Sequence, residues 1–466
     1  MNFSTKRRAL GLTGPQALLG WSTLCVVLVS AIALGANRPA SWSALAGAVF
    51  VLFGFQTLLD ILQGVPRTAA RVWLPALFFF AAVVWALVQT LPTPSAAYAH
   101  PVWAFVPSAT PRISADPIPG QQIILRLTSY GMIFWLALRA ATRATRAIAF
   151  LKAIALFSTA MAAFGLAAYM TGINPILQAD TSPVFSATFI NRNSYATFAV
   201  FGILANLGAY IHAASLGSRN ETRPVGNRIR EFLERFFGGA WLFALGFLLC
   251  LAGLVLTQSR GGALAGIVGL ATFAASYRRR DARLNPFLLA TLIGIPVFVF
   301  TVLTTGLFSR LLATTEEENR FQIYALVLEG IWDRPLLGHG LGTFENSFRQ
   351  YVPIELAQFD WNLAHNSYLE NAFELGLPAA VSFYLGLLMI TFAIARGTRS
   401  RRRNRIVACV ALSSVFTAGL HSVFDFSLQI PAIAALFAFI LGIGYAQSFR
   451  RSESSSLRRL KPDAQS

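Results

Sequence analysis

Apolar stretches of about twenty residues recur along the chain and are separated by short polar and basic segments. A helix of about 20 apolar residues is long enough to cross the hydrocarbon core of a bilayer. Twelve such windows lie near residues 16–36, 41–63, 72–91, 121–138, 147–171, 192–215, 238–257, 261–277, 285–305, 366–395, 405–424 and 428–447. The pattern therefore predicts an all-α integral membrane protein with about twelve transmembrane helices.

The composition agrees with this prediction. Apolar residues make up 55% of the 466 residues and charged residues only 12%, which is about half the charged share of a typical soluble domain. The net charge of +18 would indicate nucleic-acid binding in a soluble protein. Here the basic residues lie in runs between apolar stretches, such as Arg278–Arg280 and Arg401–Arg403, as in the cytoplasmic loops of membrane proteins. We therefore expect contact with membrane lipid and no nucleic-acid partner.

The distribution of basic residues predicts the orientation in the membrane. With twelve spans and both termini in the cytoplasm, 29 of the 38 Lys and Arg residues fall in inner segments and nine fall on the outer side. Cytoplasmic loops carry an excess of Lys and Arg. We therefore expect a multi-pass protein whose two termini are both cytoplasmic.

Two outer segments are long enough to hold a functional site. One, near 92–120, is rich in Pro and aromatic residues, and the other runs from about 306 to 365. Loops of this length are commonly functional. A helical pattern over 319–332 predicts that the second loop is partly helical, with four apolar residues on one face: Phe321, Tyr324, Leu328 and Ile331.

These features divide the chain into four predicted parts. Residues 1–305 hold membrane helices one to nine, and residues 306–365 form the outer loop, which we expect to carry catalytic elements. Residues 366–447 hold helices ten to twelve. Residues 448–466 form a basic cytoplasmic tail, which we expect to be disordered.

Three arginines fall at similar depth at the outer ends of predicted spans: Arg126, Arg192 and Arg260. A single one would be explained by snorkelling, in which the aliphatic stem is buried and the guanidinium reaches the headgroups. Three on one membrane face indicate a cluster that binds a phosphate or diphosphate, because the planar guanidinium donates paired hydrogen bonds. Glycines after Arg260 allow backbone and ligand to come close.

His365 is the titratable residue best placed for catalysis, because the long outer loop re-enters the membrane there. An imidazole titrates near neutral pH and can take a proton from an attacking hydroxyl. If the segment is helical, Asn366, Glu370 and Glu374 share one face, and Glu370 is placed to orient the histidine or the acceptor. An interfacial histidine bonded only to backbone is the alternative interpretation.

The remaining candidates carry less signal. His339 lies between two glycines and is interpreted as structural. His421 and Asp425, at the outer end of the eleventh span, either pair with each other or line the cavity. Since the sequence has no metal-ligand spacing and no nucleotide-binding loop, we expect no metal and no cofactor.

At these residues the chain resembles the O-antigen ligase/polymerase superfamily of bacterial polytopic membrane proteins. His365-Asn366, nine residues and then Gly376 resemble the ligase pattern, although Ala379 stands where ligases usually carry Gly, Thr or Tyr. Further segments are similar to other family motifs: Asp333–Phe344, Ser259–Gly262, Asn191–Asn193 and His421–Pro431.

The resemblance implies an inner-membrane glycosyltransferase of the lipid-phosphosugar-dependent class, with its active site on the periplasmic side. The implied donor is a glycan on undecaprenyl diphosphate, and the acceptor is lipid A core, a growing chain or a protein. His365 would activate the acceptor hydroxyl for one inverting, metal-independent displacement, while Arg192 and Arg260 hold the departing diphosphate. Arg126 and, more weakly, Arg320 are further candidates to bind the donor. The expected supporting residues are Asn191, Asn193, Ser259, Asn366, Glu370 and Asp425.

Several functions stay open on the sequence alone. Within the superfamily, glycan ligation, polymerisation of O-antigen or exopolysaccharide repeat units, and protein O-glycosylation are not distinguished. A polytopic transporter or flippase is an alternative of a different class. Transporters commonly carry polar residues at mid-membrane, whereas the charges here lie at one outer edge. A scaffold for cell-envelope assembly is the third alternative.

Overall fold

The computed structural model describes residues 14–106, 108–177, 185–216, 240–277, 315–356, 361–400 and 405–449. In these ranges the chain is helical, and an isolated bridge between Pro92 and Arg112 is the strand-like pairing present. In chain order the main helices are α1 (Pro15–Ile32), α2 (Pro39–Gln63), α3 (Trp73–Thr90), α4 (Pro117–Ala140), α5 (Ala144–Thr171), α6 (Arg192–Leu216), α7 (Trp241–Leu256), α8 (Arg260–Tyr277), α9 (Thr315–Asp333), α10 (Phe344–Phe348), α11 (Ser367–Leu375), α12 (Leu377–Ser400), α13 (Ile406–His421) and α14 (Pro431–Ala446).

Seven of the described helices, α1 to α6 and α12, are long and apolar enough to cross a membrane. Helices α7, α13 and α14 are shorter and also apolar. The architecture is that of an all-α membrane protein, as the apolar windows predict. The number of twelve spans stays a prediction.

Some predicted features lie outside the described residues. They are the ninth span near 285–305, the basic inner segments 219–235 and 278–283, most of the basic tail, and the side chain of Arg320.

The predicted tenth span is wrong as a single helix. Residues 367–400 form two helices, α11 and α12, that meet at Gly376. Gly376 has φ of +76°, and a Cβ there would lie 2.6 Å from the carbonyl oxygen of Leu336. Only glycine adopts this conformation readily and admits the neighbouring backbone. The break lets α11 fold back against α12, where Asn371 and Ser367 contact the Tyr384 hydroxyl.

Small residues bring the central helices together. A side chain at Gly442 of α14 would meet the Phe134 carbonyl of α4, and one at Gly269 of α8 would meet Thr417 of α13. Small residues at helix interfaces are the usual device for close packing in membranes. Helices α6 and α8 begin, and α13 ends, at the same end of this bundle, which we call the site end.

A second apolar core lies in the predicted outer loop, beyond the helix bundle. Ile323, Val327 and Ile331 of α9 are buried there with Phe373 of α11. This part of the loop is helical, as predicted. The predicted apolar face is partly wrong. Ile331 is buried, but Leu328 is 44% exposed, and Ile323 and Val327 pack inward. The side chain of Phe321 lies outside the described residues.

Candidate active site

Asn366 begins α11 and thereby places His365 just outside the helix. The Asn366 side-chain oxygen accepts hydrogen bonds from the amides of Tyr368 at 3.0 Å and Leu369 at 3.2 Å. Asn is a favoured N-cap because its side chain satisfies amides that have no partner in the first turn. His365 precedes this cap with φ of +53°, a left-handed conformation that is uncommon for a residue with a side chain.

Glu370 of α11 fixes the backbone beside His365. Its Oε2 accepts the amide of Ala364 at 2.9 Å, and its Oε1 accepts the side-chain amide of Gln429 at 2.9 Å. The Tyr324 hydroxyl donates to the His365 carbonyl at 3.3 Å. Burial raises the pKa of Glu370, while the hydrogen bonds from Ala364 and Gln429 oppose the rise. These contacts hold His365 in its strained conformation.

His365 faces a buried carboxylate. The distance between His365 Nδ1 and Asp425 Oδ1 is 3.9 Å, and the side chains are 30% and 3% exposed. The Phe426 amide donates to Asp425 Oδ1 at 2.7 Å, and the Phe426 ring packs edge-to-face on the imidazole with centroids 5.1 Å apart. A carboxylate at this distance favours a proton on Nδ1 and stabilises the imidazolium. The imidazole is thus arranged to accept a proton through Nε2.

His421 does neither of the two things predicted for it. Its Nδ1 lies 2.7 Å from the Thr197 hydroxyl and 3.0 Å from the Ser427 hydroxyl, and the residue is 1% exposed. The Asp425 amide donates to the His421 carbonyl at 2.9 Å, but the two side chains have different partners, His365 for Asp425 and the Thr197 and Ser427 hydroxyls for His421. The prediction that His421 pairs with Asp425 or lines the cavity is therefore wrong.

Arg192 and Arg260 are the first residues of α6 and α8, and both are exposed. Two predicted supporting residues shape these helix starts. Asn191 Oδ1 accepts the amide of Asn193 at 2.7 Å, and Ser259 Oγ accepts the amide of Gly262 at 3.1 Å. Their side-chain bonds order the first turns from which the two guanidinium groups extend.

The segment 421–427 connects these helix starts to His365. Ser427 donates to the Asn193 carbonyl at 3.4 Å, and a Cβ at Gly261 would lie 3.2 Å from the His421 ring. Ser367 of α11 also binds this segment. Its amide donates to the Ser422 carbonyl at 2.9 Å, and its hydroxyl donates to the Asp425 carbonyl at 3.2 Å. The segment 421–427 therefore lies at the site end and contacts the neighbours in sequence of Arg192, Arg260 and His365.

Arg126 lines a cavity of about 1190 Å³. The cavity follows α4 from Ile123 to Trp135, which is about 18 Å at the rise of an α-helix. The Arg126 guanidinium carbon lies 5.2 Å from the centre of the Trp42 ring. Most of the wall is apolar, and the polar lining includes Glu370, Asn371, Glu374 and Gln429. Among the described residues, Phe426 belongs to the lining while His365, Arg192 and Arg260 do not.

The glycine-rich loop before α10 binds a carboxylate of the protein itself. Glu374 accepts the Phe344 amide at 3.0 Å and also hydrogen bonds from the amides of Gly342 and Thr343. Burial, followed by the neighbouring Glu370, raises the pKa of Glu374, against the effect of the three amides. The Glu374 carboxylate thus uses the amides of this glycine-rich loop.

His339 is structural, as predicted, but its partner is one that the sequence does not reveal. His339 Nε2 donates to the Gly330 carbonyl at 2.9 Å, and its Nδ1 lies 3.0 Å from His100 Nε2. The amide of Val102 donates to His100 Nδ1 at 3.3 Å. Burial lowers the pKa of His100 to about 3 and that of His339 to about 4. The neutral pair joins the two long loops predicted on the outer side.

Residues 245–384 match the family model described as O-antigen ligase. The matched part begins in α7, ends in α12, and contains Arg260, His365 and both buried glutamates. It confirms the resemblance to the O-antigen ligase/polymerase superfamily over this part of the chain. A comparison with curated proteins finds no match.

Proposed function

We propose that the protein transfers a glycan from undecaprenyl diphosphate to an acceptor hydroxyl on the periplasmic side of the bacterial inner membrane. The observation that carries the proposal is the placement of His365 against the buried carboxylate of Asp425. The match to the O-antigen ligase family covers His365 and supports glycosyl transfer as the general activity. We propose an O-antigen ligase-like reaction, with repeat-unit polymerisation and protein O-glycosylation as the alternatives that the test below separates.

The proposed reaction is a single displacement. His365 Nε2 takes the proton of the acceptor hydroxyl as its oxygen attacks the anomeric carbon of the donor sugar. The bond from that carbon to the diphosphate oxygen breaks, and undecaprenyl diphosphate leaves. Attack opposite the leaving group inverts the anomeric configuration. Asp425 stabilises the imidazolium that forms, and the proton then passes from Nε2 to water.

The departing diphosphate carries the negative charge that develops in the reaction, so fixed cations lower the barrier. Arg192 and Arg260 supply guanidinium groups at the starts of α6 and α8. Helix N-termini also favour bound anions, because their first amides point outward. We propose that these two arginines bind the diphosphate and that Arg126 binds it from the cavity side.

The apolar cavity suits the polyprenyl chain of the donor. Its wall carries aromatic and aliphatic side chains, among them Phe79, Phe383 and Leu387, and burial of such surface favours a hydrocarbon ligand. Phe426 lines this cavity, and its ring also packs on the His365 ring. A lipid cavity whose wall is separated from the proposed base by one aromatic ring favours a transferase over a transporter, whose substrate site would lie at mid-membrane.

A deletion strain tests the function and its variants. The wild-type gene and His212→Ala, a control histidine on the far half of α6, are expected to restore long-chain surface polysaccharide, and His365→Ala is not. Accumulation of long lipid-linked chains in the deletion strain indicates a ligase, and accumulation of single repeat units indicates a polymerase. Loss of glycan from proteins alone indicates protein glycosylation. Full rescue by His365→Ala would contradict the proposal.

A further inference from the structure

One side-chain acceptor in the cavity wall is not used by the protein. Asn371 of α11 donates from Nδ2 to the Tyr384 hydroxyl at 2.6 Å, and that hydroxyl donates to the Ser367 carbonyl at 3.1 Å. Because the Tyr384 hydroxyl donates its proton to the Ser367 carbonyl, it can only accept from Asn371. The group of Asn371 that contacts Tyr384 is therefore the amide nitrogen and not the oxygen. Asn371 Oδ1 accepts no hydrogen bond from the described residues, and it is not sealed from solvent.

Asn371 lines the cavity, and we infer that this accessible oxygen lies on the cavity side. Two threonines in the same wall are satisfied by their own helices. The Thr391 hydroxyl donates to Leu387 O at 2.8 Å, and the Thr128 hydroxyl donates to Ile124 O at 2.8 Å. An amide oxygen in an apolar wall is costly unless a ligand donates to it. Asn371 is thus suited to a ligand that brings a hydrogen-bond donor.

Asn371 Oδ1 can only accept a hydrogen bond, so it contacts a part of the ligand that carries a hydrogen-bond donor. A polyprenyl chain has no donor, and an ionised diphosphate presents oxygens that accept hydrogen bonds. A sugar next to the diphosphate presents hydroxyl groups or an acetamido N–H. Asn371 also directly follows Glu370, which holds the His365 loop, and both residues line the cavity.

We propose that Asn371 Oδ1 accepts a hydrogen bond from a hydroxyl or acetamido N–H of the first sugar of the lipid-linked donor. Asn371 is then a specificity-determining residue, because it distinguishes a sugar-bearing polyprenyl diphosphate from the bare one that is released. Tyr384 is a positioning residue that holds the amide in the required orientation. The inference rests on the proposed function for the identity of the donor.

Equilibrium binding to the purified protein in nanodiscs tests this inference without turnover. The probes are undecaprenyl diphosphate and undecaprenyl diphosphate that carries one N-acetylhexosamine. Asn371→Leu keeps the bulk of the side chain and removes the acceptor. We expect its Kd for the sugar-bearing probe to rise about tenfold, the effect of one lost hydrogen bond, and its Kd for the bare probe to stay unchanged.

Two further variants provide the controls. Thr171→Val removes an exposed hydroxyl that donates to Ala167 O within α5, outside the cavity lining, and is expected to bind both probes as the wild type does. Tyr384→Phe keeps Asn371 Oδ1 but frees the amide, so it should weaken only the sugar-bearing probe and by less than Asn371→Leu. This pattern supports the inference even if Asn371→Leu folds poorly.

Equal weakening of both probes by Asn371→Leu and Tyr384→Phe, or of neither, would overturn the inference. The proposed function fails through a different result, namely wild-type protein that binds the donor and transfers no glycan. Because the two probes differ only in the sugar, the role of Asn371 is read from binding in either case.

Discussion

The Glu370 carboxylate accepts the amide proton of Ala364 at 2.9 Å, and this hydrogen bond fixes the residue that precedes His365. The other carboxylate oxygen accepts from Gln429 at 2.9 Å. Glu370 thus joins α11 to the His365 loop and to the turn before α14. It acts on the proposed base through the backbone rather than through contact with the imidazole.

This role predicts that the shape of Glu370 matters more than its charge. In Glu370→Gln the side-chain oxygen can still accept from the Ala364 amide. The new NH₂ group can donate to Gln429 if the Gln429 amide rotates so that its oxygen faces residue 370. We expect kcat of this variant within about fivefold of wild type. Glu370→Leu loses both acceptors, and we expect kcat to fall about 10- to 100-fold with little change in KM, because a misplaced base is costly. Equal loss in the two variants would instead assign a chemical role to the charge.

Asp425→Asn is expected to lower kcat by about 10²- to 10⁴-fold, the range associated with positioned proton transfer. The amide keeps the size of the side chain but no longer stabilises an imidazolium at 3.9 Å. Steady-state transfer assays with saturating donor measure the effect. Asp116→Asn is the control, because Asp116 only caps α4 through the Ile118 amide, and asparagine caps a helix as well. Normal turnover by Asp425→Asn would exclude the proposed role of the carboxylate.

Arg192→Ala and Arg260→Ala are expected to abolish transfer while the protein stays folded. Both residues are exposed at helix starts, so their substitution removes a cation from the proposed diphosphate site and is not expected to disturb the packed core. The lysine variants should recover part of the activity, since an ammonium keeps the charge without the paired donors. Arg38→Ala, an exposed arginine that precedes α2, is the matched control. Wild-type turnover in either alanine variant would exclude the proposed role of that arginine in binding the diphosphate.

The His100–His339 pair predicts a loss of stability in acid. Both pKa values lie below the ordinary value of 6.5, so the folded state keeps both rings neutral while the unfolded state takes up protons below about pH 6.5. The stability that the pair confers is therefore present above about pH 6.5 and is lost as the pH falls toward 4, by about 1.4 kcal/mol per pH unit for each ring.

Thermal unfolding of the purified protein between pH 7 and pH 4.5 measures this effect. We expect the double variant His100→Asn/His339→Asn to start from a lower Tm at pH 7 and to lose less on acidification than the wild type. The single variant Thr171→Val, which removes no ionisable group, should retain the wild-type pH dependence. Identical pH dependence in the double variant and the wild type would show that the pair does not titrate with unfolding.

The sequence was sufficient for features that depend on long patterns or on residue type. Apolar windows located the described helices α1 to α8, α13 and α14 to within several residues, because a bilayer imposes length and apolarity on every span. The helix starts at Arg192 and Arg260 and the position of His365 before a helix also followed from the order of polar and apolar residues. Asn366 as an N-cap is readable in the same way.

Other features depend on contacts between distant residues and leave no such pattern. The break at Gly376 is set by the approach of Leu336, and both flanking segments are apolar enough to read as one span. His100 and His339 are 239 positions apart, and the use of the glycine-rich loop by Glu374 requires the tertiary fold. His421 contacts the Thr197 hydroxyl, 224 positions away, a partner that its place in the sequence does not indicate.

The most direct test of the account measures donor binding and product formation separately for wild type and His365→Ala in purified protein. With undecaprenyl-diphosphate-linked glycan and an acceptor glycolipid, we predict the same Kd for the donor in both proteins. We predict that product formation by His365→Ala is at least about 10²-fold slower, and that the wild-type product has the inverted anomeric configuration. Turnover by His365→Ala at the wild-type rate would contradict the account.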